Sequence, residues 1–325
     1  MLGLVIAVLG LGGCTSFAVE EPPPATDKPK AREPEPEVRE PRRRGRRGDE
    51  RRREAEGQLE EITFDGPDIG GTRSAKVHAP SGADGKLPVV VGFHGGKRHD
   101  GTDMAKQWEH LFEEPVLYVF PDGKAERDGQ PGWQGVSRGG DPLRDVRMFD
   151  RLLDHLDETR NIDRSRVFVA GFSNGAYMAW HIVCHRSNDI AGALIVAKPH
   201  LKALSPVCTA ATPKPLMMVA GTADTQATWD EKEHTLSVPD TVELWRKKHG
   251  CKTRTLREEV LPDKGDRTKV IKSSWERCTE APLAFYKIEG GGHFWPADRK
   301  GPPGLSRDLD ASKAALQFWR DQGPL

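Results

Sequence analysis

The chain has no excess of charge of either sign: 49 lysines and arginines balance 49 aspartates and glutamates, for a formal net charge of zero at pH 7. That balance gives the whole molecule no electrostatic reason to seek a polyanionic partner. It also has no internal repeat, which excludes a solenoid or other repeat architecture. No apolar run is long enough to cross a bilayer; residues 2–11 are apolar but have only the length of a signal-peptide core. Cysteine is scarce and odd in number, with five in the chain. An exported protein whose cysteines all form disulfides would carry an even set.

The apolar start runs into Leu11-Gly12-Gly13-Cys14, which resembles a bacterial lipobox. The resemblance implies cleavage before Cys14 and attachment of lipid to its sulfur, which would hold the protein on a membrane. No Lys or Arg precedes the run, a departure from the usual signal; a plain secretory signal cut nearby is the alternative. Assigning Cys14 to lipid leaves Cys184, Cys208, Cys251 and Cys278, an even set that an exported compartment would let pair in any of three ways. From residue 19 to about residue 60 the composition turns to Pro, Glu and Arg with almost no aliphatic side chains. Such a stretch buries too little apolar surface to offset its ordering entropy and reads as a tether. Its cluster Arg42-Arg43-Arg44-Gly45-Arg46-Arg47, with Arg51-Arg52-Arg53, is flanked by acids, and export removes nucleic acid as a partner. A solvated, mixed-charge linker is the default, with contact to anionic envelope polymers as the alternative. The organisation expected is a signal over 1–13, a lipidated, disordered tether over 14–60 and a catalytic domain over 61–325. The location expected is the bacterial cell envelope or the exterior.

Within the domain, short apolar strands are expected at 73–78, 88–93, 116–120, 167–170, 193–196, 216–220 and 284–288. Helical patterns lie between and after them, notably at 143–159, 175–185, 238–248 and 310–320. Residues 143–159 carry Val146, Phe149, Leu152, Leu153 and Leu156 at helical spacing. Fully apolar strands alternating with amphipathic helices predict an α/β fold, a mostly parallel sheet with helices on both faces. In that architecture ligands sit beyond the carboxyl ends of the strands.

Those strand ends carry the chemistry. Gly171-Phe172-Ser173-Asn174-Gly175 follows a β-type run and opens a helix, the layout of a nucleophile elbow. Its flanking glycines are expected because larger side chains two residues either side of the serine would meet neighbouring backbone. Ser173 would need a histidine to take its proton and a carboxylate to orient that histidine. Val89-Val90-Val91-Gly92-Phe93 leads into His94-Gly95-Gly96, placing the backbone N–H groups of Gly96 and Asn174 as candidate donors to an oxyanion. Leu216-Met217-Met218-Val219-Ala220 ends in Gly221-Thr222-Ala223-Asp224. The strand end fixes Asp224 more tightly than the loop residue Asp230, its rival. Finally Gly290-Gly291-Gly292-His293-Phe294-Trp295-Pro296 puts His293 on a glycine-rich loop after the last long strand. Three consecutive glycines imply a special backbone path rather than core packing.

Together GFSNGAYMAW, HGG, GTAD and GGGHFWP resemble the polyhydroxybutyrate depolymerase-type esterases of the α/β-hydrolase fold, a group that includes feruloyl and acetyl-xylan esterases. The likeness extends to Pro121-Asp122-Gly123, Trp133 and Asp145-Val146-Arg147-Met148-Phe149 and covers nearly all of the chain after the tether. It implies hydrolysis of carboxylic esters through an acyl-enzyme, with Ser173, Asp224 and His293 as triad, and calls for no cofactor. It also implies disulfides joining Cys184 to Cys208 and Cys251 to Cys278. Where the family often has a cysteine after His-Gly, this chain has Gly96, which excludes a bridge at that loop.

Several residues have blander explanations. His181, Cys184 and His185 are explained by packing and a disulfide rather than by a metal. Trp133 and Trp295 are candidates for lining an acyl pocket, although tryptophans are often simply buried. Residues 225–282, with their helix and the 251–278 loop, are a lid or part of the body. Two other functions are weighed. A peptidase of the prolyl-oligopeptidase type would share the triad but usually adds a propeller or gating domain, and a non-catalytic surface-binding lipoprotein would not need the complete motif set. With no carbohydrate-binding module and no polymer-adsorbing extension, secreted polyester degradation is the less expected role; feruloyl, acetyl and hydroxyalkanoate esters all fit.

Overall fold

A computed structural model describes residues 59–325 except 83–84, 97–98, 126–130, 134–140, 276 and 324. The signal segment, Cys14 and all but the last two residues of the tether lie outside the described residues. In chain order the strands are β1 (Glu60–Phe64), β2 (Arg73–His78), β3 (Leu87–Phe93), β4 (Leu117–Pro121), β5 (Lys124–Ala125), β6 (Pro131–Gly132), β7 (Ile162–Phe172), β8 (Gly192–Val196), β9 (Leu216–Gly221), β10 (Leu256–Val260), β11 (Lys269–Trp275) and β12 (Leu283–Glu289). The helices are α1 (Gly101–Ala105), α2 (Arg144–Arg160), α3 (Asn174–His185), α4 (Ser205–Ala210), α5 (Val238–Lys248) and α6 (Ala311–Asp321).

Ten strands form one sheet in the order β1-β2-β4-β3-β7-β8-β9-β12-β11-β10. From β4 to β12 every neighbouring pair is parallel, while β1 and β2 at one edge and β10 and β11 at the other pair antiparallel. The small ribbon β5-β6 stands apart. Alternation along the strands divides the core in two. Val89, Val91, Val167, Val169, Ile195 and Met218 face a layer containing α2, α3 and α5; Val90, Phe168, Leu194, Met217 and Val219 face one containing α1 and α6. Helices on both faces bury the parallel strands completely, so those strands read as unbroken apolar runs. The chain passes from β3 to β4 on one side and then to β7 on the other. The ends of β3 and β7 therefore flank a topological switch point, where a crevice opens.

The seven strands expected from apolar runs are all present, but β1, β10 and β11 were not visible as such. β10, Leu-Arg-Glu-Glu-Val, is exposed at every position and so has no buried face to leave a pattern. β11 pairs with both β10 and β12, and α5 buries Trp245 in the core, so the helix and the hairpin of residues 225–282 belong to the body of the domain. Among the described residues no helix is long and apolar enough to cross a membrane.

Candidate active site

The elbow is built from the strand into the helix. Ser173 sits between β7 and α3 with φ 54° and ψ −112°, a left-handed conformation that is strained for any residue with a Cβ. The turn is tight enough that a Cβ on Gly171 would lie 2.2 Å from the Gly175 carbonyl oxygen, and one on Gly175 would lie 2.0 Å from that of Phe93. The backbone N–H of Ser173 donates to Val196 O at 3.0 Å, tying the turn to the end of β8. Asn174 is the first residue of α3, so its N–H has no acceptor within the helix.

Asp224 and His293 arrive on two loops that are laced together. Thr222 N–H donates to Ile288 O and Ala223 N–H to Gly291 O, both at 2.9 Å. Gly290 takes φ 72°, and a Cβ on Gly221 would fall 2.3 Å from Gly291 O, so the glycine-rich path is what lets the loops touch. Asp224 is buried. One carboxylate oxygen accepts from the N–H groups of Gln226 and Ala227, both at 2.8 Å, and the other lies 2.7 Å from His293 Nδ1. Because a carboxylate only accepts, Nδ1 carries the proton and Nε2 is left as an acceptor facing Ser173 Oγ at 2.8 Å. The rival Asp230 is exposed, and the bond to His293 comes from Asp224.

The loop holding Gly96 is braced from beneath by His94, which is 1% exposed. Its Nε2 accepts from Gly123 N–H at 2.8 Å, so Nδ1 is the donor to Gly95 O at 2.6 Å. Burial pushes the His94 pKa down, which keeps this tautomer neutral. Gly96 itself packs against Asn174, where an added Cβ would lie 3.2 Å from the Asn174 Cβ.

Beside Ser173 and His293 opens a cavity of about 490 Å3. Phe172, Phe294, Trp295 and Leu305 give it apolar surface, while His99, Asp103, Lys106, Gln107, Arg299 and Lys300 give it a polar wall. Burial alone would raise the pKa of Asp103, but hydrogen bonds from His99 and Lys106 hold it far below the usual carboxylate range. The hydrogen bond to Asp103 in turn raises the pKa of His99.

No family model matches the chain. It is 24% identical over 229 residues to a bifunctional acetylxylan esterase/xylanase of Neocallimastix patriciarum, covering 69% of this chain and 31% of that protein. With poly(3-hydroxyalkanoate) depolymerase C of Paucimonas lemoignei it shares 28% identity over 163 residues, 47% of this chain and 37% of the other. The chain thus spans about a third of the length of these two curated relatives. Among solved structures, the acetyl xylan esterase of Aspergillus awamori superposes with a TM-score of 0.58 at 14% identity, over 81% of this chain and 98% of that one, a likeness in fold. These names, acetylxylan esterase and poly(3-hydroxyalkanoate) depolymerase, are those of the polyhydroxybutyrate depolymerase-type esterases, the group that the chain's motifs resemble.

Other motifs of this esterase group turn out to be braces. Pro121-Asp122-Gly123 supplies the N–H that holds His94, and Asp122 Oδ1 accepts from Gly101 N–H at 2.8 Å. Asp145 is buried and bonded to Arg73 Nη1 at 2.8 Å, pinning α2 to β2. Trp133 corrects an expectation. At 2% exposure it does not line the cavity; it packs edge-on to Phe93, donates from Nε1 to His94 O at 2.8 Å and from its backbone to Asn174 Oδ1 at 2.8 Å. Trp133 thereby ties the carbonyl of His94, after β3, to the Asn174 side chain at the start of α3. Trp295 does line the cavity, with Nε1 donating to Ser312 Oγ at 3.2 Å. Cys184 is bonded to Cys208, joining α3 to α4, and Cys251 to Cys278, across the hairpin. His181 stacks on His185 with ring centroids 5.7 Å apart. Sequence reasoning missed the bracing role of His94 and the cavity-lining Gln226. In sequence His94 reads only as the first residue of HGG, and a lone polar loop residue such as Gln226 leaves no pattern.

Proposed function

We propose that this chain is an exported, lipid-anchored serine esterase that hydrolyses carboxylic esters through an acyl-enzyme. The observation that carries the reading is the unbroken pair of hydrogen bonds from Asp224 through His293 to Ser173, opening on the cavity. His293 Nε2 would take the Ser173 hydroxyl proton as Oγ attacks the ester carbonyl, and Asp224 would stabilise the imidazolium that forms. The N–H groups of Gly96 and Asn174 would hold the developing oxyanion. Collapse would expel the alcohol with the proton from His293; water, activated by the same base, would then release the acid and restore Ser173.

Two disulfides support an oxidising location, and the lipobox-like residues ending at Cys14 support anchoring to a membrane. Relatives named for acetylxylan and poly(3-hydroxyalkanoate) esters support an acyl group carried on a polymer or a small molecule as substrate. Ser173→Ala is expected to abolish hydrolysis of a short p-nitrophenyl ester while leaving the circular dichroism spectrum unchanged; full activity in that variant would overturn the assignment. A fluorophosphonate is expected to label the folded wild type at Ser173, and failure to label would favour a non-catalytic binding protein. Hydrolysis of matched amides at rates like those of esters would favour a peptidase. Screening feruloyl, acetyl and hydroxyalkanoate esters side by side would place the acyl preference.

A further inference from the structure

The cavity beside Ser173 has a neighbour. A hollow of about 290 Å3 is lined by Tyr177, Lys198, Pro199, Gln226, Ala227 and Thr228 together with residues 232–235, and Gln226 lines both spaces. They lie over opposite faces of the sheet: Met104, Phe172 and Trp295 of the cavity pack with the α1 and α6 layer, whereas Tyr177 of the hollow packs with the layer of α2, α3 and α5. The triad stands close to both. Gln226, where the two spaces meet, donates its N–H to Asp224, and Tyr177, one helical turn from Ser173, donates its N–H to Ser173 O at 3.2 Å. The walls of the hollow are held in place. Ala197, just beyond β8, takes φ 55°, a left-handed conformation that is strained for a residue with a Cβ. After this turn the Lys198 carbonyl accepts from Trp180 Nε1 at 3.1 Å, and the Lys198 ammonium lies 4.1 Å from the centre of the Tyr177 ring. Opposite, Lys202 N–H donates to His234 O at 3.1 Å and Leu236 N–H to His200 O at 3.0 Å, lacing the 232–236 segment to the chain that follows Lys198. Backbone strain that surrounding bonds maintain clusters at ligand clamps and active sites. At about 30 Å3 for each water-sized group, the hollow has room for about ten. The Tyr177 ring and the methylene stem of Lys198 offer apolar surface, and Gln226 and Thr228 offer hydrogen-bonding groups.

Resting on the esterase reading, we propose that Tyr177, Lys198, Gln226 and Thr228 form a second substrate subsite. With one substituent of the scissile ester in the cavity, the substituent on the other side of the bond crosses Gln226 into the hollow. The site is thereby suited to esters extended on both the acyl and the alcohol side, and the hollow limits the size of one of the two. Four esters separate the sides: methyl acetate, methyl butanoate, butyl acetate and butyl butanoate, with acid release followed in a pH-stat.

In the wild type, kcat/KM is expected to be highest for butyl butanoate. Thr228→Trp, which fills the hollow, is expected to lower the ratio of kcat/KM for butyl butanoate to that for methyl acetate by about tenfold, the scale on which a pocket discriminates by a group of this size. Of the two esters with a single butyl or butanoyl chain, only one is expected to lose ground to methyl acetate in this variant, and that ester names the side the hollow takes. Tyr177→Leu, which removes part of the apolar wall at a half-buried position, is expected to lower the same ratios by about threefold, and it keeps the test sound should the tryptophan variant fold poorly. A purely structural loss would lower all four esters in step. Ratios unchanged in folded Thr228→Trp, or in Tyr177→Leu where the former does not fold, would therefore overturn the inference. Equal losses for methyl butanoate and butyl acetate would overturn it as well, as would a wild type that hydrolyses butyl butanoate no faster than the better single-chain ester. Hydrolysis of none of the four esters would instead overturn the esterase reading beneath it.

Discussion

One hydrogen bond separates the two aspartates that compete for the histidine. Asp224 is fixed by two backbone N–H groups at the end of β9 and meets His293 Nδ1 at 2.7 Å; Asp230 lies exposed in the loop beyond. Under the proposed mechanism, Asp224→Asn offers a neutral amide in place of the carboxylate, so His293 loses its counter-charge and its enforced tautomer. A loss of about 10³–10⁴-fold in kcat is expected. Asp230→Asn is expected to stay within about twofold of wild type, since surface changes away from a site rarely matter. Steady-state rates of both variants on one p-nitrophenyl ester check this, and the reverse ordering would reassign the acid. Single residues were legible where glycine marked them: Ser173 between Gly171 and Gly175, and His293 after three glycines, because close backbone approaches leave a compositional trace. Trp133 was misjudged because a tryptophan near a site reads the same in sequence whether it faces substrate or braces the loop under it.

At the scale of elements, helices and central strands announced themselves through burial. α2 buries Val146, Phe149, Leu152, Leu153 and Leu156, the stripe its spacing implied. β10 buries nothing and was invisible, and β1, with only Ile62 and Phe64 turned inward, was too short a signal. The hairpin built from β10 and β11 lies between Cys251 and Cys278, whose Cα atoms are 4.0 Å apart at a sequence separation of 27. A strand pair with one fully exposed member gains little from its own side chains, so the cross-link carries much of the cost of closing that loop. Loop-closure entropy puts the contribution at about 3–4 kcal/mol. Cys251→Ser/Cys278→Ser is therefore expected to lower Tm by about 5–15 °C by differential scanning calorimetry. In hydrogen exchange, protection should fall first in β10 and β11. Because Gln226 is the one described cavity-lining residue from 225–282, the variant's KM at temperatures where it stays folded is expected to match wild type.

Across the whole molecule, the sheet's two-sided burial was legible, but its strand order was not, since a list of strands does not say that the chain turns back across β3. Burial on that scale has a second consequence, in the layer formed by α3 and α5. Burial there lowers the pKa values of His181, His200 and His249 to about 4 each. Neither ring nitrogen of His181 or His200 has a hydrogen-bond partner among the described residues, and His200 lies edge-on to Trp180 and Trp245 at 5.3 and 5.8 Å. The unfolded chain protonates such a histidine near pH 6.5, whereas the folded one resists until about pH 4. Between those values the unfolded state binds more protons, so stability rises with pH and is lost as pH falls from about 6.5 toward 4. Each histidine can steepen that dependence by up to about 1.4 kcal/mol per pH unit. Asp163 titrates lower: the hydrogen bond from Ser165, ahead of the cost of burial and the bond from Arg166, takes its pKa down to about 2, so its contribution is lost only below the unfolded value near 4. Urea unfolding measured from pH 4.5 to 7.5 should therefore show stability climbing through the histidine window. In His200→Phe, which keeps an aromatic ring edge-on to the two stacked tryptophans, the climb should be shallower by about one proton's worth. A wild-type stability that is flat across this range would mean that these rings take up protons in the folded state without penalty.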